Sequence, residues 1–266
     1  MAKADILFES DGHLVVRYAD LVRGEGIQAN QFAIRHGDHG ALIDPGGDLT
    51  FTPLTIELSR HLNLQRLDYI LASHQDPDII ASLPRWMLHS SCKVAVSRLW
   101  SRFLPHLAST FVTDRVGEQW QARILPLPDE GARLPFGDSE LWALPAHFLH
   151  SVGNFSFFDP VSRILFSGDI GASLDGEEQA VGCFEDHVPA MIGFHRRYMA
   201  GNRACRFWVR MVRDLAPAMI VPQHGGYFDR PATVSRFLDW LERLECGPDL
   251  LEARQYRLPP RVSTHP

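Results

Sequence analysis

Three short apolar runs in this chain each end in a residue that can bind a metal ion. "LDYILASHQDPD" (67–78) runs out through Ala72 into His74, Asp76 and Asp78. "ILFSGDIGAS" (164–173) ends in Asp169, and "AMIVPQHGG" (218–226) ends in His224. Apolar runs of this length read as buried strands. Groups displayed just past such strand ends are where mixed α/β architectures carry their chemistry. A fourth segment, "AHFLHSVGN" (146–154), sets His150 between two strand-like stretches. Glycine stands beside Asp169 and His224, which lets backbone approach closely. Packing alone does not account for one arrangement met three times. The fold must bring several strand ends to one rim, and the donors gathered there are expected to hold metal.

Spacing sharpens the first motif. Alternate side chains of extended backbone share one side, so His74, Asp76 and Asp78 converge only where the backbone is not helical. Pro77 biases Asp76 away from the helical region. Proline also suits the first position of a helix, with Asp76 at the N-cap. Taken alone, a capping aspartate and a loop histidine explain the motif equally well; the three later sites favour a metal centre.

Elsewhere, "HLVVRYAD", "NQFAIRHG" and "GALIDPGG" read as strands, the last two joined by a hairpin at Gly37–Gly40. "KVAVS", "ARILPL", "SELWALPA" and "NFSFFD" are further strands. Helices are expected over 52–62 starting at Thr52-Pro53, from about Pro77, over 97–107, through most of 187–215 and over 232–244. Pro84 is expected to kink the second of these or to open another short helix. The order runs β then α, twice over, which fits two mixed sheets packed face to face with helices outside. The chain is therefore α+β, with one domain over 1–246 and a Pro-rich tail over 247–266. At 266 residues, 45% hydrophobic and 22% charged, its composition is that of a soluble globular protein. A net charge of −6 without a long basic run argues against nucleic acid or an anionic membrane as partner. No apolar run approaches the ~18 residues of a membrane span, and the N-terminus lacks a signal-peptide core. Four cysteines without CxxC spacing read as reduced thiols, so a cytoplasmic location is expected.

"NQFAIRHGDHGALIDPGG", "SHQDPD", "LHSVGN", "LFSGDIGAS" and "PQHGG" occur in the order and at about the spacing of the metallo-β-lactamase superfamily, which the chain resembles over roughly residues 10–230. The resemblance implies an αββα four-layer sandwich with a two-metal site at one edge of the sheets. Zinc hydrolases of the superfamily typically carry H-x-H-x-D-H. Here Asp76 replaces the second histidine, and Ile79, which cannot bind metal, replaces the last. A carboxylate in the second position is similar to the flavodiiron pattern H-x-E-x-D. Aspartate there, with no histidine following, looks most like the related oxygen-binding di-iron proteins. By that resemblance His74, Asp76 and His150 hold one metal, Asp78 and His224 hold the other, and Asp169 bridges them. The donor chemistry agrees. Two imidazoles and a carboxylate with open positions suit non-haem ferrous iron, and the extra carboxylate disfavours zinc relative to iron or manganese. Two divalent ions against three carboxylates leave one positive charge, which a bridging hydroxo or oxo group cancels, and a neutral cluster is cheaper to bury.

The implied function is binding of O2, as a sensor or carrier, or reduction of O2 or NO with electrons from an external flavodoxin- or rubredoxin-type donor. Flavodiiron reductases often carry a flavodoxin-like domain after the metal domain. This chain ends at residue 266, too close behind His224 to hold one, so binding or sensing with a signalling partner is the favoured expectation. The competing class is a dinuclear hydrolase of an ester, thioester or lactone, using a metal-activated hydroxide. Whether the protein is an enzyme is left open. The resemblance also implies a homodimer. Around the proposed ligands, His195, Tyr198, Tyr227 and Phe228 are candidates to line the site. His147 falls on the opposite face from His150 by its odd spacing. Asp44 reads as a turn-forming residue in preference to a partner of a ligand histidine.

Overall fold

The computed structural model describes residues 3–109, 114–116, 119–174 and 179–259. Among the described residues, twelve strands form two sheets. The first runs β1-β2-β3-β4-β5-β6-β7, with β1 at Lys3–Ser10, β2 at His13–Ala19, β3 at Gln31–His36, β4 at His39–Ile43, β5 at Leu67–Leu71, β6 at Lys93–Ser97 and β7 at Ile124–Leu127. The first four strands pair antiparallel and the rest pair parallel. The second sheet runs β12-β11-β10-β9-β8, comprising Met219–Pro222, Ile164–Gly168, Phe155–Asp159, Ser139–Pro145 and Ala132–Phe136.

Alternation along the strands explains the layering. In β2, Leu14, Val16 and Tyr18 face one way and Val15 the other; in β11, Leu165 opposes Ile164 and Phe166. Val15, Phe32, Ile34, Phe155, Phe157 and Phe166 fill the space between the sheets. The Phe32 and Phe166 rings meet there at 5.0 Å. The outer face of the first sheet packs on α1 (Asp48–Leu58), α2 (Pro77–Ile80), α3 (Leu83–His89) and α4 (Arg98–Ser101), through Phe51, Leu54, Ile80 and Trp86. A short α5 (Gln119–Arg123) precedes β7. The second sheet packs on α6 (Phe184–Tyr198), α7 (Asn202–Leu215) and α8 (Pro231–Arg243), through Met191, Trp208, Val212 and Phe237. Helix, sheet, sheet, helix is the four-layer αββα sandwich that the motif order implies.

Several local expectations need correction. The first helix begins at Asp48, not at Thr52-Pro53. Gly47 is the extended N-cap residue, Asp48 places a carboxylate in the first turn, and Pro53 lies inside the helix. Segment 97–107 is not one helix. It breaks into α4 and a 3-10 turn at Leu104–Leu107, because Pro105 has no N–H to donate to the Ser101 carbonyl and its ring crowds that position of a continuous helix. Of the two alternatives expected at Pro84, the second holds: it opens a separate helix, α3, near its first position. The region 187–215 splits in two: α6 stops at Tyr198, where Met199 turns extended, and α7 starts after Gly201 (φ +139°), its N-cap residue. Strands β1 and β8 had no sequence signal. Both are edge strands, one carrying charges and the other Pro135, as edges commonly do. Of the tail expected over 247–266, the described part, to residue 259, contains 3-10 turns at Gly247–Leu250 and Ala253–Gln255; the remainder lies outside the described residues.

Strand direction gathers the candidate residues. β4 and β5 are parallel, β11 and β12 are parallel, and β10 runs antiparallel to β11. The ends of β4, β5, β11 and β12 and the start of β10 therefore lie on one rim. Backbone hydrogen bonds stitch that rim across the sheets: Phe155 N–H donates to the Ser73 carbonyl (3.0 Å) and Asn30 N–H to the Gln223 carbonyl (2.6 Å).

Candidate metal centre

His74 follows β5 by three residues and is fully buried. Asp76 is extended (φ −66°, ψ 147°) and Pro77 opens α2, as the pre-proline restriction requires. Asp76 occupies the N-cap position, but its side chain makes no capping hydrogen bond. Its carboxylate instead reaches toward two imidazoles: Asp76 Oδ2 lies 3.9 Å from His74 Nε2 and 3.6 Å from His150 Nε2. Ile79 is buried in the core one turn away.

Asp169 lies at the centre. Its Oδ2 is 2.9 Å from His150 Nε2 and 3.7 Å from His74 Nε2, while Oδ1 is 3.5 Å from His224 Nε2. His224 Nε2 is in turn 3.4 Å from Asp78 Oδ2. The six side chains thus divide into two groups, His74, Asp76 and His150 on one side of Asp169 and Asp78 and His224 on the other. Donor separations of roughly 3 Å are those of neighbouring ligands each about 2 Å from a shared ion. Although close to Asp169, His150 Nε2 has no hydrogen-bond geometry to it; His74 Nε2 and Asp169 Oδ1 are also buried without a hydrogen-bond partner. Leaving such groups unpaired costs about 1–3 kcal/mol each, and a cation shared among them removes that cost. Hard carboxylate and imidazole donors fit iron or manganese. The compact group His74, His150 and Asp169 has donor atoms all within 4.8 Å of one another.

The electrostatics are strongly coupled. Burial disfavours the charged form of Asp169, yet the imidazoles of His74, His150 and His224 outweigh it and hold the carboxyl well below the ordinary range. Burial depresses His74. It acts on His150 in the same sense, but Asp169, with Asp76 and Asp78 behind it, reverses the balance and raises that ring.

Fixed partners orient two of the rings. The Ser73 hydroxyl lies 2.9 Å from His74 Nδ1 and donates to Asp44 Oδ2 at 3.0 Å, while Ser73 N–H donates to Asp44 Oδ1 at 2.7 Å. Asp44 does take a turn conformation (φ +55°), but its buried carboxylate is tied to this relay, which corrects the reading of it as a turn former. Burial pushes Asp44 up to about 8 against the Ser73 hydrogen bonds, with Asp169 and Asp78 adding to the rise. His224 Nδ1–H donates to the Gln28 carbonyl at 2.6 Å. Metal-bound histidines characteristically use their second nitrogen in this way, leaving Nε2 for the ion. Gly225 must be glycine here: its φ is +74° and a Cβ would lie 1.9 Å from Ser173 Oγ.

The candidate lining residues separate. Tyr198 is 54% exposed, stacks on Phe194 and meets His150 edge-on at 5.7 Å, so it walls the open side. Tyr227 sits beneath the Arg17 guanidinium and packs against the inter-sheet core. Phe228 does not line a mouth: it is fully buried and stacks on Phe237 at 4.5 Å in the core under the helices. His195 is likewise buried. Its Nδ1–H donates to the Met191 carbonyl and its Nε2 accepts the Gly171 N–H, both at 2.9 Å, so it braces the turn after Asp169. His147 donates to the Asp129 carbonyl, apart from the six. Phe194 also touches His150, and nothing in its local sequence marks it for that role. The grooves flanking the site, of about 630 and 570 Å³, are lined by neighbours such as Phe148, Leu149, Gln75 and Val152 and not by the six groups.

Residues 27–225 match the family described as ODP family beta lactamase. The fold superimposes on the chemotaxis sensor ODP, described in one structure as a peroxy diiron species and in another as the apo state from T. denticola. Each is 36% identical with a TM-score of 0.81; they cover 93% and 94% of this chain and 97% and 98% of those chains. A flavo di-iron protein of Thermotoga maritima shares the fold at 17% identity and a TM-score of 0.73, over 91% of this chain and 60% of its own. A Synechocystis sp. protein with the assigned name diflavin flavoprotein A 4 is 29% identical over 138 residues, 44% of this chain and only 23% of that longer relative.

Proposed function

The chain belongs to the ODP beta-lactamase family, and on that premise we propose that it is a non-haem di-iron protein that binds O2 and acts as an oxygen sensor. In this reading His74, Asp76 and His150 hold one iron, Asp78 and His224 hold the other, and Asp169 is shared between them. The observation that carries it is the position of Asp169, one oxygen facing His74 and His150 and the other facing His224. A ferrous pair supplies two electrons and open coordination positions for a diatomic ligand. The protein supplies the frame. Asp44 and Ser73 fix the His74 ring, the Gln28 carbonyl fixes His224, and His195 braces the Asp169 turn. Phe194 and Tyr198 place an aromatic wall beside His150, which limits water on that side. A hydroxo or oxo group between the irons, and a signalling partner or an external electron donor of flavodoxin or rubredoxin type, belong to the same reading.

Sensing is preferred to turnover because the likeness to the chemotaxis sensor spans nearly both chains at 36% identity, whereas the flavo di-iron likeness reaches the fold alone. None of the described helices is long and apolar enough to cross a membrane. The test is anaerobic iron loading and reduction, followed by exposure to O2. The proposal expects two irons per chain and a visible absorption band that develops on exposure. Stoichiometric zinc with ester, thioester or lactone hydrolysis and no colour change would replace it with the hydrolase reading.

A further inference from the structure

At the opposite rim of the sandwich, a second set of imidazoles and carboxylates ties the sheets together. His13 opens β2 and His36 closes β3 in the first sheet; Asp138 lies in the turn between β8 and β9, and Asp159 closes β10 in the second. The contacts run in line. His13 Nε2 is 2.7 Å from Asp159 Oδ2, His13 Nδ1 is 3.0 Å from His36 Nδ1, and His36 Nε2 abuts Asp138 Oδ1. His13 and Asp159 are buried, whereas Asp138 is 92% exposed.

Counting hydrogens fixes the tautomers. Besides His13, Asp159 receives the N–H groups of Val161 and Ser162 and the Ser162 hydroxyl, all donors. Burial works against its ionisation, but the His13 and Ser162 contacts prevail and hold it below the ordinary carboxylate range. Asp159 is therefore a carboxylate, and His13 Nε2 must donate to it. Asp138 is exposed to water and therefore an ordinary carboxylate near neutral pH, so His36 Nε2 donates to it as well. A neutral imidazole has one N–H to give, and both are now committed. Two bare Nδ1 lone pairs would face each other at 3.0 Å, which is the separation of a hydrogen bond. One more proton resolves the conflict.

We propose that His13 and His36 share one extra proton in an Nδ1–H···Nδ1 hydrogen bond, making the pair a singly charged clasp between the two sheets. The charge sits next to Asp159, a buried carboxylate that is costly without a counter-charge. The rings of Phe8 and Phe136 pack on the pair, and His39 is 2.9 Å from its own partner, Asp68. A metal ion would find only two nitrogen donors here. The inference stands apart from the di-iron reading.

The test is a long-range proton–nitrogen spectrum of the full chain carrying ¹⁵N-histidine, near pH ~7, where an ordinary exposed histidine is mostly neutral. His36→Gln assigns the signals. The proposal expects three N–H protons across the two rings, one of them bridging the Nδ1 atoms. In Asp159→Asn the amide oxygen stays with the Val161 N–H and the amide nitrogen donates to His13 Nε2. His13 then carries its proton on Nδ1, and one N–H is lost from the pair. Two neutral rings in the wild type, whichever nitrogens carry their protons, would overturn the proposal. So would Nδ1 signals that shift when a chelator is added, since they would mark a metal ion. If Asp159→Asn does not fold, the wild-type spectrum alone decides.

Discussion

Ser73→Ala isolates the relay that orients His74. The substitution removes a hydroxyl that lies 2.9 Å from His74 Nδ1 and donates to Asp44 Oδ2. The backbone bonds of Ser73, its N–H to Asp44 Oδ1 and its carbonyl from Phe155, stay in place. His74 is fully buried, so its Nδ1–H finds no water to replace the lost oxygen. A buried donor left unpaired costs about 1–3 kcal/mol. Loss of a hydrogen-bond partner behind a metal-bound histidine typically lowers metal affinity by roughly 10–100-fold, or ~1.4–2.8 kcal/mol. The two routes agree in size. Ferrous affinity, measured by competition with a colorimetric chelator, should therefore fall by about one to two orders of magnitude. Thermal unfolding of the metal-free proteins separates this from a general loss of stability, and Ser73→Thr should restore most of the affinity. An affinity within about threefold of wild type, less than 1 kcal/mol, would mean that Ser73 does not hold the ring.

Three other outcomes follow from the site. Asp169→Ala should lose both metals by elemental analysis, because one carboxylate faces both groups; retention of one full equivalent would show that it is not shared. Asp76→His should shift loading toward zinc and abolish the optical response to O2, and unchanged iron loading would count against the argument from donor hardness. His195 is held neutral, pushed down to about 4 by burial, whereas an unfolded histidine takes up its proton at about 6.5. The unfolded state therefore binds more protons between those values, so stability is full above about pH 6.5 and declines as pH falls toward about 4. Denaturant midpoints in His195→Gln should lose that part of the slope; an unchanged slope would place the acid sensitivity elsewhere.

The sandwich and the strand ends were readable because buried strands are written as largely apolar runs, and the residues after Ala72, Gly168 and Pro222 stand out as polar at the point where each run stops. Edge strands escape that logic: β1 keeps its charges and β8 its proline because only one neighbour constrains each. The Asp44–Ser73 contact joins residues from the ends of two parallel strands, and nothing near either residue signals it. His195 did leave a trace. Phe184, Met191 and His195 share the buried face of α6, so helical spacing marks it as an inward residue and not a rim residue. Tyr227 and Phe228 show the converse error. They are near His224 in sequence, but the ladder contact between Ile220 and Phe228 turns the Phe228 ring into the core.

Anomalous diffraction from crystals of the loaded protein, collected on both sides of the iron absorption edge, tests the central claim most directly. The account predicts two iron peaks per chain, one among His74, Asp76 and His150, one beside Asp78 and His224, with Asp169 reaching both. Peaks that persist only at the zinc edge, a single peak, or density away from these side chains would contradict it.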